Sequence, residues 1–316
     1  MHIRGKAVVI TGASSGIGRS CVERMNRAGW QVFATVRKAS DRDALAGTGE
    51  GRIIPVLMDL QESASVESAA AEIGRYLDGR GLDGLVNVAG IGMVRPLEYA
   101  SMRDVREIFE INFFGQLAVT QALSRLLREK RGRIVNITTV GVNLALPFGA
   151  LLNASKSAFA AMSDTLRLEM HPFGVRVCAI EPGAISTPAV DKTLGDIEQV
   201  IAGLPPDAQS QYGPMIRRLG KRAYTMEKNG SPQEVVAGAV HHALTSNRPR
   251  IRYRVGKHAK LLATLPRVLP ESVMDAIVIR MFGLTAPASE ETATISGRSR
   301  QRGPVGRVGP VAVNPR

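Results

Sequence analysis

Between Lys6 and Gly18 the chain reads KAVVITGASSGIG, and the glycines and serines in it have the types and spacing to cradle a phosphate. Gly12, Ser14, Ser15, Gly16, Ile17 and Gly18 stand where an apolar run ends and an amphipathic run, Arg19 to Ala28, begins. Free backbone N–H groups at a helix start, together with the helix dipole, attract an anion, and a pyrophosphate is the natural guest. Gly12 suits the tight turn, Gly16 a close approach of backbone to phosphate, and Gly18 the packing of helix on strand. A glycine turn of purely structural origin can also precede a helix. Asn112 is the next residue that invites chemistry, because a buried asparagine inside a helix costs propensity and needs hydrogen-bond partners.

The elements that must position these groups follow from hydrophobic patterning. Ala7 to Ile10, Gln31 to Val36, Arg52 to Met58, Leu82 to Val88, Arg133 to Thr138 and Val175 to Ile180 are short apolar runs, the pattern of strands covered on both faces. Helical periods separate them: Ser63 to Leu77 repeats Val66, Ala69, Ala70, Ile73 and Leu77, and Ser101 to Arg128 is long and periodic around Asn112. A helix follows in Phe148 to Met170, another in Pro232 to Leu244, and a short seventh strand in Arg252 to Val255. This alternation predicts an α/β fold, a doubly wound parallel seven-stranded sheet of Rossmann type with helices on both faces. Ligands bind beyond the carboxyl ends of such strands, where Gly12, Asp59, Asn87, Thr139 and Gly183 all fall. Arg37 follows the second strand, where an acid would bind a ribose 2′-hydroxyl and a cation a 2′-phosphate, so Val36-Arg37 points to NADP(H). The plain alternative is a solvated Arg37-Lys38 pair.

The string Thr11 to Gly18 resembles the cofactor loop of the short-chain dehydrogenase/reductase family, and the resemblance extends over roughly residues 5 to 255. The run from Tyr253 to Ala263 suggests its retinol- and hydroxysteroid-dehydrogenase-like branch. The resemblance implies that Asp59-Leu60 contacts adenine and that Asn87, Ala89 and Gly90 pass beside a ribose. Val88 stands where the family usually has a second asparagine. The resemblance further implies that Pro182, Gly183, Ile185 and Thr187 form the turn on the nicotinamide, that Lys156 holds its ribose, and that Asn112 kinks its helix and holds a relay water. A homodimer or homotetramer is the implied assembly.

Family chemistry uses a tyrosine as acid, a lysine four residues later that lowers the tyrosine pKa, and an earlier serine that orients the substrate oxygen. Lys156 is present, but Leu152 stands four residues before it, Thr139 stands at the serine interval, and no tyrosine lies between Tyr99 and Tyr212. Thr139 retains a hydroxyl; Leu152 donates nothing. Three readings stay open. The protein is an NADP(H)-dependent oxidoreductase with Lys156, a water on Asn112, or Tyr212 or Tyr224 as proton source; or it performs non-redox cyclisation, isomerisation or dehydration; or it binds without catalysis. Leu144, Leu146, Phe148, Leu151 and Leu152 predict a pocket for a lipophilic steroid-, retinoid- or polyketide-like compound.

The 316 residues suit one domain, 1–284, with a long irregular insertion over 189–229 that has helical patches but poor periodicity, which the resemblance makes a substrate lid, and a Pro-broken helical extension over 257–284. That extension reads as a core-covering or dimer-forming element rather than a membrane-surface one. A Ser-, Gly-, Pro- and Arg-rich tail, 285–316, is expected to be disordered. Net charge is +13, concentrated in Arg248 to Lys260 and in the five arginines of the last twenty residues. No aromatic residues interleave the tail charges, so nucleic acid is not expected as a partner. Cys21 and Cys178 read as reduced core residues, and His171, His241 and His242 as surface or packing residues; no metal site is expected. The first strand starts almost at once, which leaves no room for a signal peptide, and no run reaches membrane-span length; a cytoplasmic location is expected.

Overall fold

The computed structural model describes residues 5–48 and 52–284. Seven parallel strands form the central sheet: β1 (Ala7–Ile10), β2 (Gln31–Val36), β3 (Ile53–Leu57), β4 (Gly84–Asn87), β5 (Arg133–Ile137), β6 (Arg176–Pro182) and β7 (Arg252–Val255), in spatial order β3-β2-β1-β4-β5-β6-β7. Every pairing is parallel. The order reverses between β1 and β4, which opens the crevice in which such folds bind ligands.

Alternation along β1 divides the core into two layers. Val8 and Ile10 face a cluster with Cys21, Val22 and Met25 of α1 (Gly16–Arg27) and Val236 and Val240 of α10 (Glu234–Thr245). Val9 faces the other side, with Ile73 and Leu77 of α3 (Ser63–Leu77) and Leu123 and Leu127 of α5 (Gly115–Lys130). A side chain on Gly84 would stand 2.8 Å from Leu244 Cδ2, so the glycine in β4 lets α10 reach the sheet. The remaining crossovers are α2 (Ala39–Leu45), α4 (Met102–Phe109) and α6 (Ala150–Glu169).

The sequence predicts an irregular segment over 189–229, and this expectation is corrected: it is mostly helical, in α7 (Pro188–Leu194), α8 (Ile197–Ala202) and α9 (Pro206–Lys228). Its ends are tied by a parallel two-residue pairing of Ile185–Ser186 with Ser231–Pro232. The extension forms α11 (Ala259–Val268) and α12 (Glu271–Phe282), broken before Glu271 as the proline pattern predicts. The tail reading, 285–316, lies outside the described residues.

Candidate active site

The amino end of α1 faces the crevice without a partner of its own. Ser15 is its N-cap in extended conformation, makes no side-chain capping bond, and no acid lies in the first turn, so the helix dipole is uncompensated. Gly12 and Gly16 have φ of +65° and +56°, a region that side chains rarely adopt. A Cβ on Gly12 would lie 2.8 Å from Ala89 Cα, and one on Gly18 would overlap the Gly12 carbonyl. The loop is thus pressed against the end of β4, with Ser14 and Ser15 exposed above it. This set of N–H donors without a carboxylate fits a pyrophosphate. A Cβ on Gly16 would stand 3.6 Å from Thr187 Cβ, so the loop also meets the turn after β6.

Arg37 is exposed at the end of β2 and makes no ion pair among the described residues. Asp59 accepts from Gln61 N at 3.0 Å, while its own N–H donates to Ser65 Oγ at 2.9 Å. Leu60 packs against Gly115, where a Cβ would lie 2.6 Å from Leu60 Cβ. Asn87 is spent inside the sheet: Nδ2 donates to Asn136 Oδ1 at 2.9 Å and Thr120 Oγ1 at 3.1 Å. Pro182 and Ile185 are buried, and Gly183 lies where a side chain would overlap the Lys257 carbonyl.

The ends of β4 and β5 meet at Lys156. Its Nζ donates to Ile137 O at 2.9 Å, the side chain is 7% exposed, and burial pulls its pKa down to about 8. Asn112 sits in a π-helical turn, Glu110–Phe114, between α4 and α5; it donates from Nδ2 to Ile91 O at 2.9 Å and Ser155 Oγ at 3.0 Å and accepts from Ile91 N at 2.8 Å. The π turn falls where the resemblance implied a kink in the helix. A Cβ on Gly90 would stand 3.0 Å from Asn112 Oδ1 and 3.3 Å from Lys156 Nζ, so the backbone after β4 runs directly beside both. Thr139 is half-buried, and its Oγ1 accepts from Gly141 N at 3.1 Å, which leaves the hydroxyl proton for another acceptor. Leu152 lies one helical turn before Lys156 on α6, and a Cβ on Gly92 would touch both Leu152 Cδ2, at 3.8 Å, and Thr193 Cγ2, at 3.2 Å.

The chain matches the short chain dehydrogenase family model over residues 6–197. It belongs to that family. Human retinol dehydrogenase 5 is 34% identical over 279 residues, 86% of this chain and 87% of that protein. The NADPH-dependent 3-dehydrocapnine reductase of Ornithobacterium rhinotracheale is 30% identical, covering 85% of this chain and 94% of the relative. Among solved structures, a short chain dehydrogenase from Burkholderia cenocepacia in complex with NADP superposes with TM-score 0.66 at 26% identity, over 88% of this chain and 99% of the other. A nicotinamide cofactor and oxidoreductase ancestry come with membership of the short-chain dehydrogenase family.

The site of this short-chain dehydrogenase includes groups that sequence reading passes over. Thr11 Oγ1 accepts from Val88 N and Ala89 N at 2.9 and 3.1 Å, and the fully buried Gln116 donates to Ala89 O at 2.5 Å. Together they fix the strand end beside which the glycine loop packs. Gln116 stands four residues after Asn112, one turn along the same helix, which is the signal that could have found it.

One sequence reading needs correction. The sequence offers Tyr212 and Tyr224 as proton donors, but their hydroxyls donate to Glu98 Oε2 at 2.6 Å and Asp191 Oδ1 at 2.9 Å. The Glu98 hydrogen bond also raises the Tyr212 pKa. His242 shares a 2.9 Å hydrogen bond between Nδ1 and the Tyr253 hydroxyl. Both cysteines are buried and free. No helix among the described residues is long and apolar enough to cross a membrane, and none of their His, Cys, Asp and Glu side chains cluster as a metal site.

Proposed function

We propose that the protein is an NADP(H)-dependent oxidoreductase that interconverts an alcohol and a carbonyl in a lipophilic substrate, with Lys156 moving the proton that a tyrosine would otherwise move. The observation that carries this reading is the environment of Lys156: a buried amine anchored to Ile137 O, with its pKa drawn down to about 8 and with Gly90 and Asn112 alongside. A general acid works best when its pKa lies near the working pH. The tyrosines of the lid are hydrogen-bonded to carboxylates, which leaves Lys156 as the titratable group that borders the backbone after β4.

The residues divide the work as follows. Gly12, Ser14, Ser15, Gly16, Ile17 and Gly18 bind the pyrophosphate of the cofactor, Arg37 its 2′-phosphate, and Asp59 and Leu60 flank the adenine. Ala89 and Gly90 line the ribose path, with Asn87, its side chain bonded inside the fold, fixing the strand end before them, and Pro182, Gly183, Ile185 and Thr187 bound the nicotinamide. The bound cofactor supplies or accepts a hydride. Thr139 donates its hydroxyl to the substrate oxygen, Lys156 Nζ gives a proton to that oxygen in reduction and takes it in oxidation, and Leu152 with α7 keeps water from the oxygen. Asn112 holds the Ile91 backbone and Ser155 in place around the amine. The apolar residues Leu144, Leu146, Phe148 and Leu151 suit a lipophilic substrate, and the relative named as a retinol dehydrogenase is in keeping with this.

Titration with NADPH and NADH, followed by a panel of retinoid, steroid and polyketide carbonyls and alcohols, tests the proposal. The expected outcome is tighter binding of NADPH and a rate of reduction that falls as pH rises through about 8, because the protonated amine is then lost. Oxidation should rise through the same pH. Tighter binding of NADH overturns the role of Arg37. Binding of NADPH without turnover of any member of the panel overturns the redox reading in favour of cyclisation, isomerisation or dehydration.

A further inference from the structure

On α9 the residues Arg218, Lys221 and Arg222 recur at the spacing that puts them on one helical face, and Thr225 continues the stripe. Facing them from the turn between β7 and α11 are Lys257 and His258. These residues line a cavity of about 540 Å³ at the surface. We propose that this cavity binds a phosphate group, carried either by a soluble organophosphate or by a lipid headgroup, at a place separate from the cofactor crevice.

A basic helical face is often only a solvated one, and α9 itself provides the contrast. Arg217 and Lys228 of the same helix do not line the cavity, and each has a carboxylate partner, Glu198 at 2.7 Å and Asp191 at 3.0 Å. None of the five basic residues of the cavity has an acidic partner among the described residues. The one nearby carboxylate on α9, Glu227, turns the other way and accepts from Ile185 N at 3.2 Å. Like charges one turn apart repel, so the stripe is unfavourable for the helix unless an anion compensates it.

Two of the cationic heads are held in place by backbone carbonyls. Arg218 Nη1 donates to Gly283 O at 2.9 Å and Lys257 Nζ to Asn229 O at 3.3 Å. His258 is the N-cap of the ten-residue α11 and makes no side-chain capping bond, so the positive end of that helix adds to the field of the cavity. Guanidinium forks and ammonium groups around a concave site match the oxygens of a phosphate. The cavity also borders the proposed nicotinamide turn, since the Lys257 carbonyl packs on Gly183. The inference does not depend on the redox proposal.

Calorimetric titration of the full chain with inorganic pyrophosphate, with and without NADP⁺, tests the site. Binding should persist with NADP⁺ present and weaken about tenfold or more in Arg222→Gln/Lys257→Gln, which removes two charge-assisted hydrogen-bond donors. The control Arg103→Gln/Arg106→Gln removes the same charge from the exposed face of α4 and should leave affinity unchanged. All four side chains are exposed, so both variants should fold, and equal melting temperatures verify it. Absence of binding, or equal weakening in both variants, overturns the proposal. Flotation with phosphatidylglycerol and phosphatidylcholine vesicles separates the sources. Retention on phosphatidylglycerol alone, lost in Arg222→Gln/Lys257→Gln, assigns the headgroup. No retention, with pyrophosphate still bound, assigns a soluble organophosphate. Retention that the cavity variant keeps excludes the headgroup as this site's ligand.

Discussion

Leu152 and Lys156 share one face of α6, and their relation decides what chemistry the site performs. Leu152→Tyr places a phenol one turn before the amine; because Lys156 already moves the proton, NADPH-dependent reduction of lipophilic carbonyls should not gain the roughly 10²- to 10⁴-fold that a positioned general acid is worth where none exists, and a gain of about that size would show that the parent lacks an acid. A fall in rate would mean that Lys156 works only in the dry surroundings Leu152 provides. Lys156 also carries a stability signature. Its pKa is about 8 in the fold against 10.5 for the free side chain. Between those values the unfolded chain holds more protons, so stability rises with pH across this window, and below it the whole cost of charging a buried amine is present. The shift corresponds to about 3 kcal/mol. The stability of Lys156→Met relative to the parent should therefore decline by about that amount between pH 7.5 and 10.5, as read from denaturant unfolding. The positions of Thr139 and Lys156 are legible in the sequence because family spacing fixes them. The amine's depressed pKa is not, because desolvation comes from strands distant in the chain.

Glycine and proline mislead the reading of whole elements. Gly213, Pro214 and Gly220 suggest an irregular lid over 189–229, yet all three lie inside the 23-residue helix α9. Gly220 is a packing device: a Cβ there would lie 2.6 Å from Ile197 Cγ1, so the missing side chain lets α8 rest on α9. Gly220→Ala should accordingly destabilise the protein by about 1–3 kcal/mol through overpacking, even though alanine is the better helix former. A lower midpoint of thermal unfolding checks this, and an unchanged or higher one would show that α8 moves away at no cost. The opposite case is the stretch from Ser101 to Arg128. There the helical period is plain in the sequence, and the π turn falls at Asn112, where the family resemblance implied a kink; the period by itself does not show it.

At the level of the whole molecule, strand alternation announces the doubly wound sheet, since buried parallel strands leave continuous apolar runs. The charge network that closes its edge is not announced. Glu181, fully buried at the end of β6, receives Arg252 Nη1 at 2.5 Å and Arg254 Nε at 3.1 Å from β7, and Arg252 also pairs with Asp164 of α6. The sequence shows only a basic run there, because the acid that answers it lies about seventy residues earlier. Glu181→Gln should cost about 3 kcal/mol, the lower part of the range for breaking a buried pair, since both arginines keep some contact with water. Urea unfolding measures it.

The packing of Lys257 and Ala259 against Gly183 also has a bearing on how the protein is born. On the ribosome, the glycine loop, β5 and the turn after β6 are made long before the segment that backs that turn. At roughly 5–20 residues per second, the roughly 70 residues from Thr187 to Ala259 take about 4–14 s to synthesise. For that interval Glu181 waits without its arginines and the turn without its support. A nascent chain arrested before Arg252 should thus hold a nearly complete glycine loop while the turn after β6 still lacks the segment that backs it.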